Sequence, residues 1–265
     1  MSDDLLLLDI RDNVATLTLN RPAKKNSLSP DLVKRLSDAF DDLAAGDTIP
    51  VVVIRGFGSQ AFCAGYDIGS LPTRGSGDPS RNLKKLDAVE NLFKTVVNYP
   101  MPVVAMINGA AFGAGCELSV CCDIRVGAED IRMGMPPAKL GLVYPWSGLQ
   151  RFLQVVGLKN IREIFYTGRS YQGKRLKEIG LVDYLVPRSE LEAFTYKMAA
   201  EIAANAPLAL KGTKRVLNLL LGGLQPPGGS RREAELLTEG AFRSEDLREG
   251  QRAFLEKRKP VFRGK

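Results

Sequence analysis

The sequence predicts an α/β fold in which strands alternate with helices. Two observations lead to this prediction. Apolar runs typical of buried strands occupy residues 51–54 (Val-Val-Val-Ile) and 103–107 (Val-Val-Ala-Met-Ile), and each is followed by a glycine-rich turn. Segments with apolar residues at helical spacing lie between the strand candidates, an alternation that covers a sheet with helices. The 265 residues suit one large domain or a core with a smaller appendage.

The first predicted elements are a strand and a capped helix. Residues 14–19 alternate in hydrophobicity and end at Asn20-Arg21-Pro22, which predicts a strand. Ser29 followed by Pro30 is typical of a helix N-cap with proline at the first helical position. The helix would turn one apolar stripe toward the core, formed by Leu32, Leu36, Phe40 and Leu43.

Strand signals continue through residues 124–126 and 181–185 and end after Pro187. Helical spacing then predicts helices at residues 191–204 and 207–221. After a Gly/Pro break at residues 222–229, two more are expected near residues 232–242 and 245–257. Residues 72–80 are rich in Gly, Pro and Ser, which disfavours regular structure. They suit either a wall of a ligand pocket or a surface loop.

Composition narrows the class of protein. With 45% hydrophobic and 25% charged residues, the chain is typical of soluble globular proteins. No apolar run reaches the roughly 20 residues that cross a bilayer. Residues 1–5 also lack the basic start of a secretory signal. We therefore expect a cytoplasmic protein without a membrane partner.

The chain contains no histidine, and this excludes Ser-His-Asp triads and His-ligated metal sites. Proton transfer would fall to carboxylates, phenols, amines, thiols or bound water. The four cysteines are Cys63, Cys116, Cys121 and Cys122, without C-x-x-C spacing. They are expected to be buried, reduced thiols, and no metal site is predicted.

The formal net charge is +7, which favours a partner that carries negative charge. Basic residues cluster at Arg21, Lys24 and Lys25 and again within residues 257–265. Neither cluster is interleaved with aromatic residues as in single-strand binders, so no nucleic acid is expected. Each cluster suits either a solvated face or a ligand that carries phosphates.

Two glycine-rich turns carry the main functional signal, at residues 62–68 (Phe-Cys-Ala-Gly-Tyr-Asp-Ile) and 108–118 (Asn-Gly-Ala-Ala-Phe-Gly-Ala-Gly-Cys-Glu-Leu). Small residues at strand ends leave backbone N–H groups free to meet a ligand oxygen. The second turn is also predicted to open a helix, whose N-terminus adds partial positive charge. Two converging donors would form an oxyanion hole suited to a thioester enolate. Glu117 places a carboxylate beside it.

These residues resemble the crotonase superfamily, the enoyl-CoA hydratase/isomerase family, and the resemblance extends from residues 19–22 to residues 254–260. It implies a spiral of repeated ββα units over residues 1–200 and a helical oligomerisation region over residues 201–265. It also implies trimers, commonly paired into hexamers. The expected partner is an acyl-CoA thioester, with coenzyme A entering only as part of the substrate and no permanently bound cofactor.

The resemblance also implies site residues. The oxyanion donors would be the N–H groups of Ala64 and Ala114, with Glu117 as acid/base. Arg21, Lys24 and Lys25 are expected near the phosphates of coenzyme A, and Tyr66, Asp67 and Ile68 near its adenine. Phe254 and Lys257 match a segment that covers the ligand, sometimes from a neighbouring subunit. Further predicted contacts are Gly65, Gly113, Pro137 and Leu140.

The sequence departs from the hydratase pattern at one position. Hydratases of this family typically carry a second glutamate in a Gly-x-Pro-Glu segment, where this chain has Pro137. One glutamate can still move a proton between two carbons, so double-bond isomerisation is easier to defend than hydration. A methylmalonyl-CoA-type decarboxylase is the alternative, because Tyr144 matches a tyrosine of that enzyme and Tyr66 replaces its histidine. A non-catalytic CoA or RNA binder is the alternative from another class.

Overall fold

A computed structural model describes residues 4–67, 79–222 and 228–263. Its strands, in chain order, are β1 (Leu6–Arg11), β2 (Val14–Leu19), β3 (Val51–Gly56), β4 (Ala61–Cys63), β5 (Val103–Ile107), β6 (Ala110–Phe112), β7 (Ile124–Ala128), β8 (Arg132–Gly134), β9 (Ser170–Gln172) and β10 (Tyr184–Val186). Six of them form one sheet in the order β1-β2-β3-β5-β7-β10, and β4-β6-β8-β9 form a second. All neighbouring pairs are parallel except β1 with β2 and β8 with β9.

Helices lie between the strands along the chain, and four more of the described helices follow the last strand. The helices are α1 (Pro30–Gly46), α2 (Pro79–Asn98), α3 (Ala114–Val120), α4 (Trp146–Thr167), α5 (Lys174–Glu178), α6 (Leu191–Ala203), α7 (Pro207–Gly222), α8 (Gly228–Arg243) and α9 (Glu245–Leu255). The order β3-β4-α2, β5-β6-α3 and β7-β8-α4 repeats one unit three times. In each unit the first strand joins the six-stranded sheet and the second joins the four-stranded sheet. The predicted α/β fold with ββα repeats is confirmed.

Helix α1 shows how local sequence sets an element. The Ser29 hydroxyl accepts a hydrogen bond from the Leu32 N–H at 3.2 Å, and Pro30 fills the first helical position. Both features satisfy or remove N–H groups that a helix start leaves unpaired. The predicted stripe is buried, and it packs with the apolar residues of the central strands into one core. The predicted capped helix is confirmed.

Several boundaries differ from the predicted ones. The predicted strand at residues 181–185 begins only at Tyr184, because the N–H groups of Leu181 and Val182 donate to the Leu176 carbonyl in a turn after α5. Their side chains are buried. The apolar run therefore indicated buried side chains, and not residues that pair with a neighbouring strand. Strand β1 was not predicted. Of the loop predicted at residues 72–80, residues 72–78 lie outside the described ranges, and residues 79 and 80 open α2.

After Pro187 the described part of the chain contains helices and no strand, as predicted. Helices α6, α7, α8 and α9 agree with the four predicted segments to within a few residues. The predicted division between residues 200 and 201 lies inside α6, and a separate oligomerisation region stays a prediction. Among the described residues, none of the helices has both the length and the apolar content needed to span a membrane.

Candidate active site

The two glycine-rich turns lie side by side at one edge of the four-stranded sheet. Strands β4 and β6 are parallel neighbours, with Ala61 opposite Ala110 and Cys63 opposite Ala111. Because the carboxyl ends of parallel strands meet at the same edge, the turn after β4 and the turn after β6 come together. The sheet topology therefore joins two segments that are about fifty residues apart in the chain.

Two glycines permit this close approach. Gly65 has a φ of +108°, and a Cβ added there would lie 2.9 Å from the Phe112 carbonyl oxygen and 3.7 Å from the Ala114 nitrogen. A Cβ on Gly115 would lie 2.1 Å from the Cys63 carbonyl oxygen. Both distances to oxygen are too short for any larger residue without backbone movement. The glycines thus bring the two turns into direct contact.

The backbone N–H groups of the first turn correct one prediction. The Ala64 N–H, expected as an oxyanion donor, donates to the Lys25 carbonyl oxygen at 3.0 Å. The Leu28 N–H donates to Gly65, and the Asp67 N–H donates to Leu28. Since peptide groups alternate along an extended segment, the Tyr66 N–H faces the side away from Leu28. It has no hydrogen-bond acceptor among the described residues.

The other predicted donor, the Ala114 N–H, lies in the second turn. Gly113, with a φ of +52°, precedes α3, and its N–H donates to the Gly134 carbonyl at 3.1 Å. Ala114 is the first residue of α3, where N–H groups have no partner within the helix. Within the described ranges its N–H has no acceptor. Among the described residues, the N–H groups of Tyr66 and Ala114 therefore lack an acceptor at this junction, whereas the Ala64 N–H is occupied.

Glu117 lies one turn into α3 and is 3% exposed. Its Oε1 accepts a hydrogen bond from Arg151 at 2.7 Å, and its Oε2 accepts one from the Tyr144 hydroxyl. Burial raises the pKa of Glu117 above its ordinary value, while Arg151 and the Tyr144 hydrogen bond oppose that increase. The carboxylate is thus held in one orientation in a buried environment.

Gly148 of α4 makes room for this arrangement. A Cβ at that position would lie 2.4 Å from Cε1 of Tyr144 and 2.9 Å from Oε1 of Glu117. The absence of a side chain allows α4 to approach the Tyr144 ring and the carboxylate together. The glycine therefore helps to position both groups.

Arg151 and Glu90 extend the contacts of Glu117, and neither residue was predicted from the sequence. The Arg151 guanidinium bridges Glu117 and Glu90, with N–O distances of 2.5 and 3.0 Å to the Glu90 carboxylate. It also lies over the Phe93 ring, 5.5 Å from its centroid. Glu90 and Arg151 sit in amphipathic helices, where charged residues are usually solvated, so no local signal marks them.

The predicted phosphate-binding residues divide into two groups. Arg21 is held by the protein itself, because it pairs with Asp67 at 3.0 Å and donates to the Ser27 carbonyl at 2.6 Å. That pair fixes the first turn and leaves Arg21 little freedom to bind a phosphate. Lys24 and Lys25 are exposed and available. Ile68 lies outside the described residues.

The remaining predicted contacts lie on two packed segments. Pro137 is buried and opens a 3-10 turn, Pro137–Leu140, beside the start of α9. A Cβ on Gly250 of α9 would lie 2.6 Å from the Leu140 carbonyl oxygen, so these segments are in close contact. Phe254 and Lys257 are exposed near the end of the chain.

The thiols follow the prediction. Cys63, Cys116, Cys121 and Cys122 are all free and buried. Burial raises the pKa of Cys63 and of Cys122 to about 12. No cluster of potential metal ligands occurs within the described part of the chain.

A family model described as enoyl-CoA hydratase/isomerase matches residues 9–265 of this chain. The chain belongs to the enoyl-CoA hydratase/isomerase family. Within this family, the candidate enoyl-CoA hydratase/isomerase YngF of Bacillus subtilis is 32% identical over 265 residues, which cover 100% of both chains.

Solved structures share the fold of this family member along its whole length. A methylmalonyl-CoA decarboxylase in complex with 2-nitronate-propionyl-CoA is 29% identical, with a TM-score of 0.91 and 100% coverage of both chains. An enoyl-CoA hydratase from Bacillus anthracis is 31% identical, with a TM-score of 0.78 and coverage of 99% and 100%. The crotonase-type fold is therefore shown.

Proposed function

We propose that this family member converts an acyl-CoA thioester through an enolate, with Glu117 as the group that moves the proton. The N–H groups of Tyr66 and Ala114 would hold the thioester oxygen. One observation carries the proposal: a buried carboxylate lies one helical turn from the junction where these two free donors come together. Donors fixed before the reaction stabilise developing negative charge without reorganisation.

Double-bond migration is the reaction that this arrangement supports best. Glu117 would remove a proton from the α-carbon of a 3-enoyl thioester, and the C–H electron pair would form the enolate. The protonated Glu117 would return the proton to the γ-carbon, which moves the double bond next to the carbonyl. A single carboxylate suffices for both transfers. Hydration by two glutamates lacks its second member, because Pro137 has no titratable group.

A methylmalonyl-type decarboxylation is the second candidate, and the tyrosines favour it. The Tyr66 hydroxyl is buried and has no hydrogen-bond partner among the described residues. It would offer a phenolic donor to a substrate carboxylate, and Tyr144 would become a second donor only after its hydroxyl leaves Glu117. The electrons of the breaking C–C bond would pass into the enolate as CO₂ leaves. The methylmalonyl-CoA decarboxylase structure also matches this chain with a TM-score of 0.91, which is higher than the 0.78 of the Bacillus anthracis enoyl-CoA hydratase.

The binding of the coenzyme A part follows from charge and exposure. Lys24 and Lys25 would contact its phosphates. Arg21 would stabilise the segment that contains these two lysines through its hydrogen bond to the Ser27 carbonyl. Phe254 and Lys257 would cover a ligand bound to a neighbouring subunit, since they are exposed in this chain. This arrangement requires the trimer or the dimer of trimers expected from the resemblance. A cytoplasmic location is part of the same proposal.

The test is to incubate the purified protein with crotonyl-CoA, a 3-enoyl-CoA and methylmalonyl-CoA. Products are separated by chromatography and identified by mass. A shifted double bond, or gain of water, would support proton transfer by Glu117. Loss of CO₂ from methylmalonyl-CoA alone would support the decarboxylase. Thioester binding without any turnover would favour the non-catalytic binder and refute the proposal.

A further inference from the structure

Arg151 lies between two carboxylates contributed by different helices. It belongs to α4, Glu117 belongs to α3 and Glu90 belongs to α2. The side chains of Arg151 and Glu117 are 11% and 4% exposed, and that of Glu90 is 25% exposed. The bridge therefore runs from the solvent-facing Glu90 inward to the proposed acid/base.

The geometry uses features that only arginine offers. Nη1 donates to Glu117 at 2.7 Å and to Glu90 at 3.0 Å, while Nη2 donates to Glu90 at 2.5 Å. A planar guanidinium can serve two carboxylates at once, whereas an ammonium is a single point charge. The Phe93 ring supports the guanidinium from one side. The contacts with Glu90 and Phe93 thus fix Arg151 independently of its hydrogen bond to Glu117.

We infer that Arg151 is a positioning residue that orients the Glu117 carboxylate toward the two turns, and that the charge of Glu90 offsets the charge of Arg151 at Glu117. This inference rests on the proposed role of Glu117. A second consequence is electrostatic. The positive charge of Arg151 favours the ionised form of Glu117, and the negative charge of Glu90 disfavours it. The two residues should therefore move the titration of Glu117 in opposite directions.

The other groups around Glu117 are unchanged when Arg151 or Glu90 is substituted. Tyr144 faces it from the segment before α4, and the Cys116 and Cys121 thiols interact with it electrostatically. Burial keeps both thiols protonated near neutral pH, because it raises the pKa of each well above its ordinary value. The changes at Arg151 and Glu90 are thus the ones that alter charge near the carboxylate.

The experiment compares Arg151→Met, Arg151→Lys and Glu90→Gln with the wild type. Arg162→Lys is the control, because Arg162 is an exposed arginine of the same helix. The protonation of Glu117 is followed by infrared difference spectroscopy against pH, with Glu117→Gln made in each background to identify its carboxyl band. This titration needs no substrate, so it reports on the bridge even if no thioester turns over.

In Arg151→Met we expect the titration midpoint of Glu117 to rise by about 1–3 pH units, as for loss of a neighbouring opposite charge. Glu90→Gln should lower the midpoint, and Arg162→Lys should leave it unchanged. Arg151→Lys should keep the midpoint near the wild-type value but lower kcat at least about tenfold, because the carboxylate loses its fixed orientation. For a thioester that the protein converts, the acidic midpoint in the pH profile of kcat/KM should shift in the same directions as the Glu117 titration.

A purely structural role predicts a different pattern. Arg151→Met and Glu90→Gln would then lower thermal stability without moving the Glu117 midpoint, or would move it in the same direction. Either result overturns the inference. If Arg151→Met fails to fold, Glu90→Gln and Arg151→Lys decide the question. A Glu90→Gln midpoint at or above that of the wild type refutes it, as does full kcat in Arg151→Lys.

Discussion

Gly148→Ala tests whether the spacing between α4 and the Tyr144–Glu117 pair is as tight as the structure has it. The new Cβ would lie 2.4 Å from Cε1 and 2.8 Å from Cδ1 of the Tyr144 ring. Carbon atoms pack best at about 3.5–4.0 Å, so the ring or the helix must move by about 1 Å. Such overpacking costs about 1–3 kcal/mol. A displacement of that size would also separate the Tyr144 hydroxyl from Glu117.

The matched control is Gly212→Ala in α7, where no atom lies within 4 Å of the added Cβ. Replacing glycine by alanine inside a helix stabilises it by roughly 0.5–1 kcal/mol, and this gain applies to both variants. Their difference in the free energy of unfolding, measured by denaturant titration, therefore isolates the clash. We expect Gly148→Ala to be less stable than Gly212→Ala by about 1–3 kcal/mol. We also expect its turnover to fall about 100-fold.

Equal stability of the two variants, together with wild-type turnover in Gly148→Ala, would refute this reasoning. It would mean that α4 shifts at no cost and that the contacts around Glu117 are not tightly determined. Loss of turnover without loss of stability would instead mean that the displacement is confined to Tyr144 and Glu117.

Four further predictions concern Glu117, Tyr144 and the buried thiols. Glu117→Gln should lower turnover about 10²–10⁴-fold while thioester binding is kept, and unchanged turnover in a steady-state assay would exclude Glu117 as the acid/base. Because burial raises the pKa of Glu117, its protonation stabilises the folded state. The stability of the wild type relative to Glu117→Gln should therefore fall as the pH rises through that raised pKa. Tyr144→Phe removes a hydrogen bond to a carboxylate and should cost about 1.5–3 kcal/mol in urea unfolding; decarboxylation that survives this change would show that the phenol is not the anchor. Since burial raises the pKa of Cys63 and of Cys122 to about 12, neither thiol should react with a disulfide reagent at pH 8 until the protein is unfolded.

Much of the fold follows from local patterns. The Ser29–Pro30 start of α1 and the strand β5 were predicted at the positions where the structure has them. Caps and apolar periodicities act over a few residues, so a sequence reports them directly. The run at residues 181–185 shows the limit of this signal. There the apolar residues are buried in a turn, and hydrophobicity alone does not distinguish a buried turn from a strand.

The sequence by itself determined the two glycine-rich turns, the helix that follows the second one, and the carboxylate of Glu117. Only the tertiary structure decided which groups those turns leave free. The Ala64 N–H is occupied by a carbonyl 39 residues earlier in the chain, at Lys25, whereas the Tyr66 N–H has no acceptor in the part of the chain that the structure describes. Arg151 reaches Glu117 and Glu90 across 34 and 61 residues. Hydrogen bonds and ion pairs of this kind depend on how sheets and helices pack, and no periodicity of a single chain segment encodes them.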